Sequence, residues 1–213
     1  MTATVAVLAA HGRSGRACVT ALLDAGYQVR AGIRSEAPFE PHPLLTTVSC
    51  DARDPAQVAE LLEGASAVVS MIGHNRRSDD DVQSAATRNC LEVISSRQPK
   101  TRFITLTGTG VRLPGDTIPL FDRAANAAIA LVDPKRIADG KEHVRILQDS
   151  DVDFTVVRVL KLTGGRHQGT VRLTPNGPAE LFTPRARVGA AVVAILGRTD
   201  LSRALPVING TEA

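Results

Sequence analysis

The chain has few aromatic side chains, with no tryptophan, one tyrosine and five phenylalanines among its 213 residues. An exposed aromatic platform for stacking nucleic-acid bases is therefore not expected. Long apolar runs are also missing, since no uninterrupted stretch reaches the roughly 20 residues that a membrane-spanning helix needs. Neither a nucleic acid nor a membrane is expected as a partner.

Cysteine is scarce as well. Cys18, Cys50 and Cys90 are odd in number and far apart, and their spacing matches no metal-binding motif. We expect reduced, mostly buried thiols and no metal site. The opening "MTATVAVLAA" lacks the basic start of a secretion signal. Together these features predict a cytoplasmic protein.

Positive charge is in small excess and is dispersed along the chain. Lys and Arg number 25 against 22 Asp and Glu, which gives a net charge of +3. No run of basic residues marks a nucleic-acid footprint. The excess is more typical of a solvated surface, with a few arginines that meet a small anionic molecule.

Strand and helix patterns alternate from the first residues to the last. Apolar runs typical of buried strands fall at 5–10, 28–34, 47–50, 67–72, 102–106, 154–159 and 205–208. Helical patterns fall between them, at 14–25, 54–64, 81–97, 135–148 and 188–196, while 111–134 is ambiguous. An additional hairpin is predicted around residues 169–173 and the turn "TPNGP". The fold class is therefore α/β, a Rossmann-like, doubly wound parallel sheet with helices on both faces, in a single domain over 1–213.

The first strand runs into a glycine loop, "VAVLAAHGRSG", directly before the first helix. Gly12 would let the backbone approach a pyrophosphate, Gly15 would let the helix pack on the strand, and Ser14 begins the helix. Ala9 stands where a first glycine is usual, and it costs little provided that its φ is negative. A tight turn with no nucleotide is the alternative interpretation.

Two arginines favour NADP(H) over NAD(H). Arg34 ends the second strand, where an Asp or Glu would bind a free ribose 2′-hydroxyl, and Arg13 lies in the glycine loop. Two guanidiniums suit a 2′-phosphate, and Ser35 adds a hydroxyl donor. Two solvated arginines are the alternative, and Glu36 argues mildly against the phosphate.

Residues at later strand ends complete the predicted cofactor site. Asp51 and Ala52 are placed to meet the adenine, and Met71, Ile72 and Gly73 to pass the ribose and nicotinamide. Val159 and Leu160 follow the sixth strand, and Leu160 is expected to pack on the nicotinamide face.

The segments "VAVLAAHGRSG", "YQVRAGIRS", "AVVSMIG", "RFITLTGTGV" and "DFTVVRVLKLTGG" together resemble the atypical short-chain dehydrogenase/reductases. The resemblance is to the NAD(P)H-binding subgroup of NmrA-like regulators and biliverdin reductase B or flavin reductase types. It implies a dinucleotide in the glycine loop, with Arg13 and Arg34 at positions that bind the phosphate in NADP-preferring members. Ala9, His11 and Arg187 depart from the usual pattern.

The proton donor of ordinary short-chain dehydrogenases, Tyr-x-x-x-Lys, is missing, because the single tyrosine, Tyr27, lies between the first helix and second strand. By the resemblance, Thr107 and Thr109 after the fifth strand are candidates to bind the carboxamide or a substrate oxygen; hydroxyls that cap the backbone at the strand end are the alternative. Lys141 lies near the position of the family lysine and is the candidate for the nicotinamide ribose, with Lys135 as its rival and a solvated helix lysine as the alternative. His143 is a weaker candidate for proton transfer.

Hydride transfer without a strong acid suits planar acceptors with their own electron sink, such as flavins and quinones. The leading hypothesis is therefore an NADPH-dependent reductase of a small-molecule acceptor, whose pocket is formed by 111–134 and 161–182, in a monomer or homodimer. A non-catalytic NADP(H)-binding sensor is the second hypothesis. A nucleotide-sugar epimerase or dehydratase is the third, and the missing Tyr-x-x-x-Lys counts against it.

Overall fold

The computed structural model describes residues 3–34, 39–75 and 78–211. The strands are β1 (Thr4–Leu8), β2 (Gln28–Ile33), β3 (Leu45–Ser49), β4 (Ala67–Ser70), β5 (Arg102–Gly108), β6 (Phe154–Val159), β7 (Leu162–Thr163), β8 (Val171–Thr174), β9 (Thr183–Pro184) and β10 (Val207–Thr211). The helices are α1 (Arg13–Asp24), α2 (Pro55–Leu62), α3 (Val82–Arg97), α4 (Leu120–Val132), α5 (Pro134–Gln148) and α6 (Arg185–Leu196).

The main sheet has eight strands in the order β3-β2-β1-β4-β5-β6-β10-β8. Seven strands are parallel, and β8 pairs antiparallel with β10. The order reverses between β1 and β4, so the chain is doubly wound and the predicted fold class is confirmed. The predicted hairpin is wrong. β8 pairs with its neighbour β10 at the edge of the main sheet, and β9 pairs with β7 in a separate two-stranded sheet.

Each face of the sheet has its own apolar cluster. On one face, α1 and α6 pack through Cys18, Leu22, Val188 and Ile195, with strand residues beneath them. On the other face, α2, α3 and α5 cover the alternate strand positions. Because strands covered on both sides need mostly apolar residues, β1 and β4 are nearly continuous apolar runs, whereas β6 also buries Thr155 and Arg158.

Helix α4 has an inverted pattern of burial. Leu120, Leu131 and Val132 are 83%, 85% and 83% exposed, whereas the buried residues of the helix are Asp122 and Asn126. Tertiary contacts of the polar pair therefore orient this helix, against the preference of its apolar side chains for burial. This inversion explains why the sequence left 111–134 ambiguous.

The three cysteines are buried free thiols, and burial raises the pKa of Cys18 to about 12. Within the described ranges, no three His, Cys, Asp or Glu side chains are grouped as a metal site would require. No helix in those ranges has the length and apolar content needed to cross a bilayer.

Helices α1 and α6 approach closely at a glycine, which makes their contact testable. A Cβ on Gly189 would lie 2.6 Å from the Ala17 carbonyl oxygen and 2.9 Å from the Ala21 Cβ. We expect Gly189→Ala to lower the free energy of unfolding by about 1–3 kcal/mol through overpacking, as measured by urea denaturation. Gly197→Ala is the matched control, because a Cβ there meets nothing closer than 4.0 Å. Equal effects of the two substitutions would contradict the close packing.

Candidate functional site

A cleft of about 670 Å³ opens at the carboxyl ends of β1, β4, β5 and β6. Each strand contributes the residues that follow it: the Gly12–Ser14 loop, the segment from Met71 to His74, the end of β5 around Thr107, and the segment from Val159 to Leu162. Ligands of doubly wound sheets bind at this edge, where the strand order reverses. The position and the size of the cleft both suit a dinucleotide together with part of a second ligand.

The turn from β1 into α1 is shaped for close approach of a ligand. Gly12 is the N-cap of α1, and no side chain caps the helix, so its first N–H groups and positive dipole end are available to an anion. Gly15 is required by packing, because a Cβ there would lie 2.2 Å from the Ala9 carbonyl oxygen. These features fit a pyrophosphate.

Ala9 corrects one expectation from the sequence. Its φ is +54°, in the left-handed region, and not negative. The turn therefore requires the conformation that glycine adopts easily, and alanine adopts it at a cost. The Gly12 N–H donates to the Ala9 carbonyl oxygen at 2.9 Å, which helps to hold the turn closed.

The cleft has a positive lining. Arg13, Arg136, Lys161 and Arg185 contribute to its wall, and none of the described lining residues is Asp or Glu. Burial lowers the pKa of Arg185, and repulsion from Arg13 lowers it further, so two guanidiniums lie close together beside the glycine loop. A chain with nearly balanced charge thus concentrates cations where phosphates would bind.

Of the residues predicted for the adenine and the 2′-phosphate, Arg13 is part of the wall of the cleft, whereas Arg34, Asp51 and Ala52 are not. Arg34 is exposed and borders a shallow depression of about 140 Å³ at the end of β2, the strand next to β1. Asp51 accepts the Arg53 N–H at 3.0 Å, and the Ala52 carbonyl accepts the Asn89 amide at 2.8 Å. Ser35 and Glu36 lie outside the described residues.

The predicted nicotinamide residues line the other half of the cleft. Met71, Ile72 and Gly73, then Thr107, and finally Val159 and Leu160 follow neighbouring strands. The Gln83 Nε2 donates to the Ile72 carbonyl at 3.1 Å and to the Leu106 carbonyl at 3.2 Å, which ties the ends of β4 and β5 together. Sequence reasoning did not single out Gln83.

Lys141 does not occupy the position predicted for it. It is exposed and lies outside the cleft, whereas Arg136, Ile137 and Gly140 of the same helix line it. A Cβ on Gly140 would be 3.1 Å from the Thr107 Oγ1, so no larger side chain fits this contact without displacement. Lys135 is also exposed, and it pairs with Asp80 at 2.6 Å.

Thr109 is separated from the cleft by a buried polar cluster. Its Oγ1 donates to the Asp122 Oδ1 at 3.1 Å and accepts from the Asn126 Nδ2 at 2.9 Å. Asn126 also lines the cleft. The hydroxyl of Thr109 therefore anchors α4 to the end of β5, which is a structural role and not the ligand contact that was predicted.

His143 is buried and stays neutral. Burial lowers its pKa to about 4, although the hydrogen bond from its Nδ1 to the Gly140 carbonyl, at 3.0 Å, opposes this shift. A histidine with such a pKa carries no proton for exchange near neutrality. The role in proton transfer considered for His143 is therefore wrong.

A different histidine lines the cleft. The His74 Nε2 lies 2.8 Å from the Asp139 Oδ2, and only 9% of the His74 side chain and 2% of the Asp139 side chain are exposed. Sequence reasoning missed this pair because its members are 65 residues apart. The signal in the sequence was the position of His74, directly after the predicted Gly73.

The far half of the cleft is apolar. Ala125 and Ile129 of α4, Ile137 of α5, Leu162 and Leu181 form its wall, so both 111–134 and 161–182 contribute to it. The loop after β5 is held by Arg158, whose Nη2 donates to the Asp116 Oδ1 at 2.9 Å and to the Pro175 carbonyl at 2.7 Å. Burial raises the pKa of Asp116, but its hydrogen bonds with Arg158 and Leu113 lower it overall, so the pair stays ionised.

The parallel sheet, the uncapped helix at the switch point and the cationic cleft define a dinucleotide-binding protein of the Rossmann class. Residues 9–199 match the sequence profile of the NAD(P)H-binding family, and the chain belongs to that family. No curated protein matches the sequence.

Solved structures share the fold at low sequence identity. An oxidoreductase from Lactococcus lactis has a TM-score of 0.81 at 17% identity, covering 99% of this chain and 92% of its own. A short-chain dehydrogenase/reductase from Veillonella parvula, solved in complex with NADP, has a TM-score of 0.79 at 17% identity, covering 98% of this chain and 95% of its own. A proposed NADH–flavin reductase from Streptococcus pneumoniae has a TM-score of 0.77 at 18% identity, covering 98% and 100%.

The left-handed Ala9 gives a test of the loop geometry. Ala9→Gly removes a conformational cost of about 1–2 kcal/mol but adds about 0.4–1 kcal/mol of unfolded-state entropy. We expect a net stabilisation of about 0.5–1 kcal/mol in urea denaturation. Ala25→Gly is the control, because Ala25 has a φ of −84° and glycine there should only destabilise. Destabilisation by both substitutions would contradict the left-handed conformation of Ala9.

Proposed function

We propose that the protein is an NADPH-dependent reductase, of the atypical short-chain dehydrogenase/reductase type, that transfers hydride to a small planar acceptor such as a flavin or quinone. The observation that carries this proposal is the continuity of the cleft. One end is the uncapped start of α1 with Arg13 and Arg185, and the other end is an apolar chamber under α4. Family membership supports the cofactor, and the cytoplasm is the proposed setting, because the three cysteines are free thiols.

Phosphate binding is assigned to the backbone of the glycine loop and to arginines on both sides of it. Arg13 contributes to the wall beside the loop, and Arg34 ends the adjacent parallel strand. Charge-assisted hydrogen bonds from guanidiniums to a 2′-phosphate would favour NADPH over NADH. When bound, the cofactor would supply the hydride, and the protein would hold donor and acceptor together and exclude water.

The apolar chamber sets the proposed class of acceptor. Ile129, Ile137 and Leu181 give the chamber an apolar wall, while Arg136 and Lys161 add positive charge. Such a chamber suits a planar conjugated ring whose oxygens gain electron density during reduction. Tyr27 is far from the cleft, because it lies between α1 and the start of β2, whereas the cleft opens at the carboxyl ends of the strands.

A second candidate function is that of an NADP(H)-binding sensor without turnover. The exposed apolar residues of α4 favour it, because Leu120, Leu131 and Val132 form an apolar surface beside the cleft that suits contact with another protein. A helix that also lines the cofactor cleft could report occupancy to such a partner.

Turnover distinguishes the two functions. We expect NADPH to be consumed, by absorbance, in the presence of at least one member of a panel of flavins, quinones and reactive carbonyls. Binding is followed separately through NADPH fluorescence without acceptor, which is free of energy transfer from tryptophan because the chain has none. Tight binding without turnover across the panel would reject the reductase and favour the sensor.

Arg34 tests the choice of cofactor. We expect Arg34→Ala to weaken NADPH binding about tenfold to a hundredfold, the equivalent of a lost charged hydrogen bond of about 1.5–3 kcal/mol. NADH lacks the 2′-phosphate, so the dissociation constant for NADH should change less than about twofold in the same variant.

Arg172→Ala is the matched control for charge, because Arg172 is exposed on β8 at the opposite edge of the sheet from the β2–β3 end. It should leave both affinities unchanged. Equal losses of NADPH and NADH affinity in Arg34→Ala would remove Arg34 from phosphate recognition.

A further inference from the structure

His74 is held in one orientation by a buried carboxylate. Asp139, on α5, accepts from His74 at 2.8 Å through Oδ2, and it also accepts the backbone N–H groups of Gln83 at 2.8 Å and Ser84 at 3.0 Å. These two N–H groups belong to the first turn of α3. The Asp139 carboxylate thus belongs to α5 and caps the first turn of α3.

The same contacts keep Asp139 ionised. Burial alone would raise its pKa, but the hydrogen bonds from Ser84, Gln83 and His74 outweigh burial and lower it. An ionised Asp139 can only accept, so the His74 Nε2 must be the protonated, donating nitrogen. This leaves Nδ1 as the nitrogen that can serve a ligand.

The pair lies on the nicotinamide side of the cleft. His74 follows β4 and lines the cleft together with Gln83, Thr107 and Gly140. Gln83 connects the two regions, since its backbone binds Asp139 and its side chain binds the ends of β4 and β5. Asp139 and the ends of β4 and β5 therefore position the imidazole of His74 where the nicotinamide ring is proposed to bind.

Helix capping explains the contacts of Asp139 with α3 but not its contact with His74. A cap needs the carboxylate and the two N–H groups alone. An imidazole that is 9% exposed, lines a ligand cleft and is backed by a fixed anion is the arrangement of a general acid.

We propose that His74, oriented by Asp139, is the proton donor when the acceptor is reduced at a carbonyl; this inference rests on the proposed reductase function. In the balanced step, the acceptor carbonyl carbon receives hydride from NADPH, which becomes NADP⁺. The carbonyl π electrons move to oxygen, the Nδ1–H bond of the His74 imidazolium breaks, and an O–H bond forms. Neutral His74 then regains its proton from water, while Asp139 stays ionised throughout.

The experiment compares two acceptors with different demands for a proton. An aromatic 1,2-dicarbonyl forms an alkoxide that needs immediate protonation, whereas a flavin spreads the charge over its own rings. We expect His74→Gln to lower kcat for the dicarbonyl at least about a hundredfold, as general-acid loss does. For the flavin, kcat should fall less than about threefold. NADPH binding, measured by fluorescence without acceptor, should not change.

His42→Gln is the matched control, since His42 is exposed beside β3 and should leave all three measurements unchanged. Asp139→Asn should reproduce the acceptor-dependent loss and also remove the downfield NMR signal of the Nε2 proton. Asp139→Asn also weakens the cap of α3. If the Asp139→Asn protein does not fold, the kinetics of His74→Gln alone test the proposal.

Other outcomes overturn the inference, and they are distinguishable. Equal losses of kcat for both acceptors, or weaker NADPH binding, would give His74 a structural or cofactor-binding role. Unchanged kcat would exclude it from the chemistry while the reductase function remains. No turnover by the wild-type protein with any acceptor would reject the reductase function, and the proton donor with it.

Discussion

The site depends on how closely α1 can start behind β1. Because Gly15 has no Cβ, its Cα packs against the backbone of Ala9 and Ala10, and the helix begins within a few residues of the strand end. The tight turn requires a left-handed Ala9 and leaves the first helical N–H groups without a side-chain cap. A bulkier residue at 15 would move the helix away from the sheet, and the anion-binding end of the dipole would no longer face the cleft.

Charge and apolar surface are divided along the cleft. Arg13 and Arg185 lie at the glycine loop, and aliphatic side chains from α4, α5 and the segment before β9 line the other end. Buried polar contacts make this division possible. The Thr109–Asp122–Asn126 cluster fixes α4 to β5, and the Arg158–Asp116 pair fixes the loop between them. Each contact satisfies polar groups that would otherwise destabilise a partly apolar wall.

The sequence was a good guide wherever position along the chain determines position in space. Parallel strands bring their carboxyl ends to one edge, so Gly12, Met71, Thr107 and Val159 could be placed together from strand boundaries alone. The Rossmann-like topology likewise followed from the alternation of strand-like and helix-like hydrophobic patterns along the sequence. These predictions required no knowledge of side-chain packing.

Helix phase and tertiary contacts could not be obtained in that way. Lys141 was predicted for the wall, but Gly140 lies there and Lys141 is exposed, a difference that the helical pattern in the sequence does not determine. The contact of His74 with Asp139 joins a loop to a helix 65 residues later, and no local pattern encodes it. Ala9 was expected to cost little provided that its φ was negative, but the turn holds it at positive φ.

Asp139 has consequences for how this protein can change over evolution. A single carboxylate serves both the start of α3 and the imidazole of His74, so a substitution there would alter folding and chemistry at once. Selection on Asp139 therefore acts through both the stability of α3 and the orientation of His74. The aliphatic wall is free of this coupling, because Ala125, Ile129 and Leu181 line the cleft without buried hydrogen bonds of their own. Under the proposed reductase function, new acceptor specificities are expected to arise at these wall positions, while Asp139 is retained.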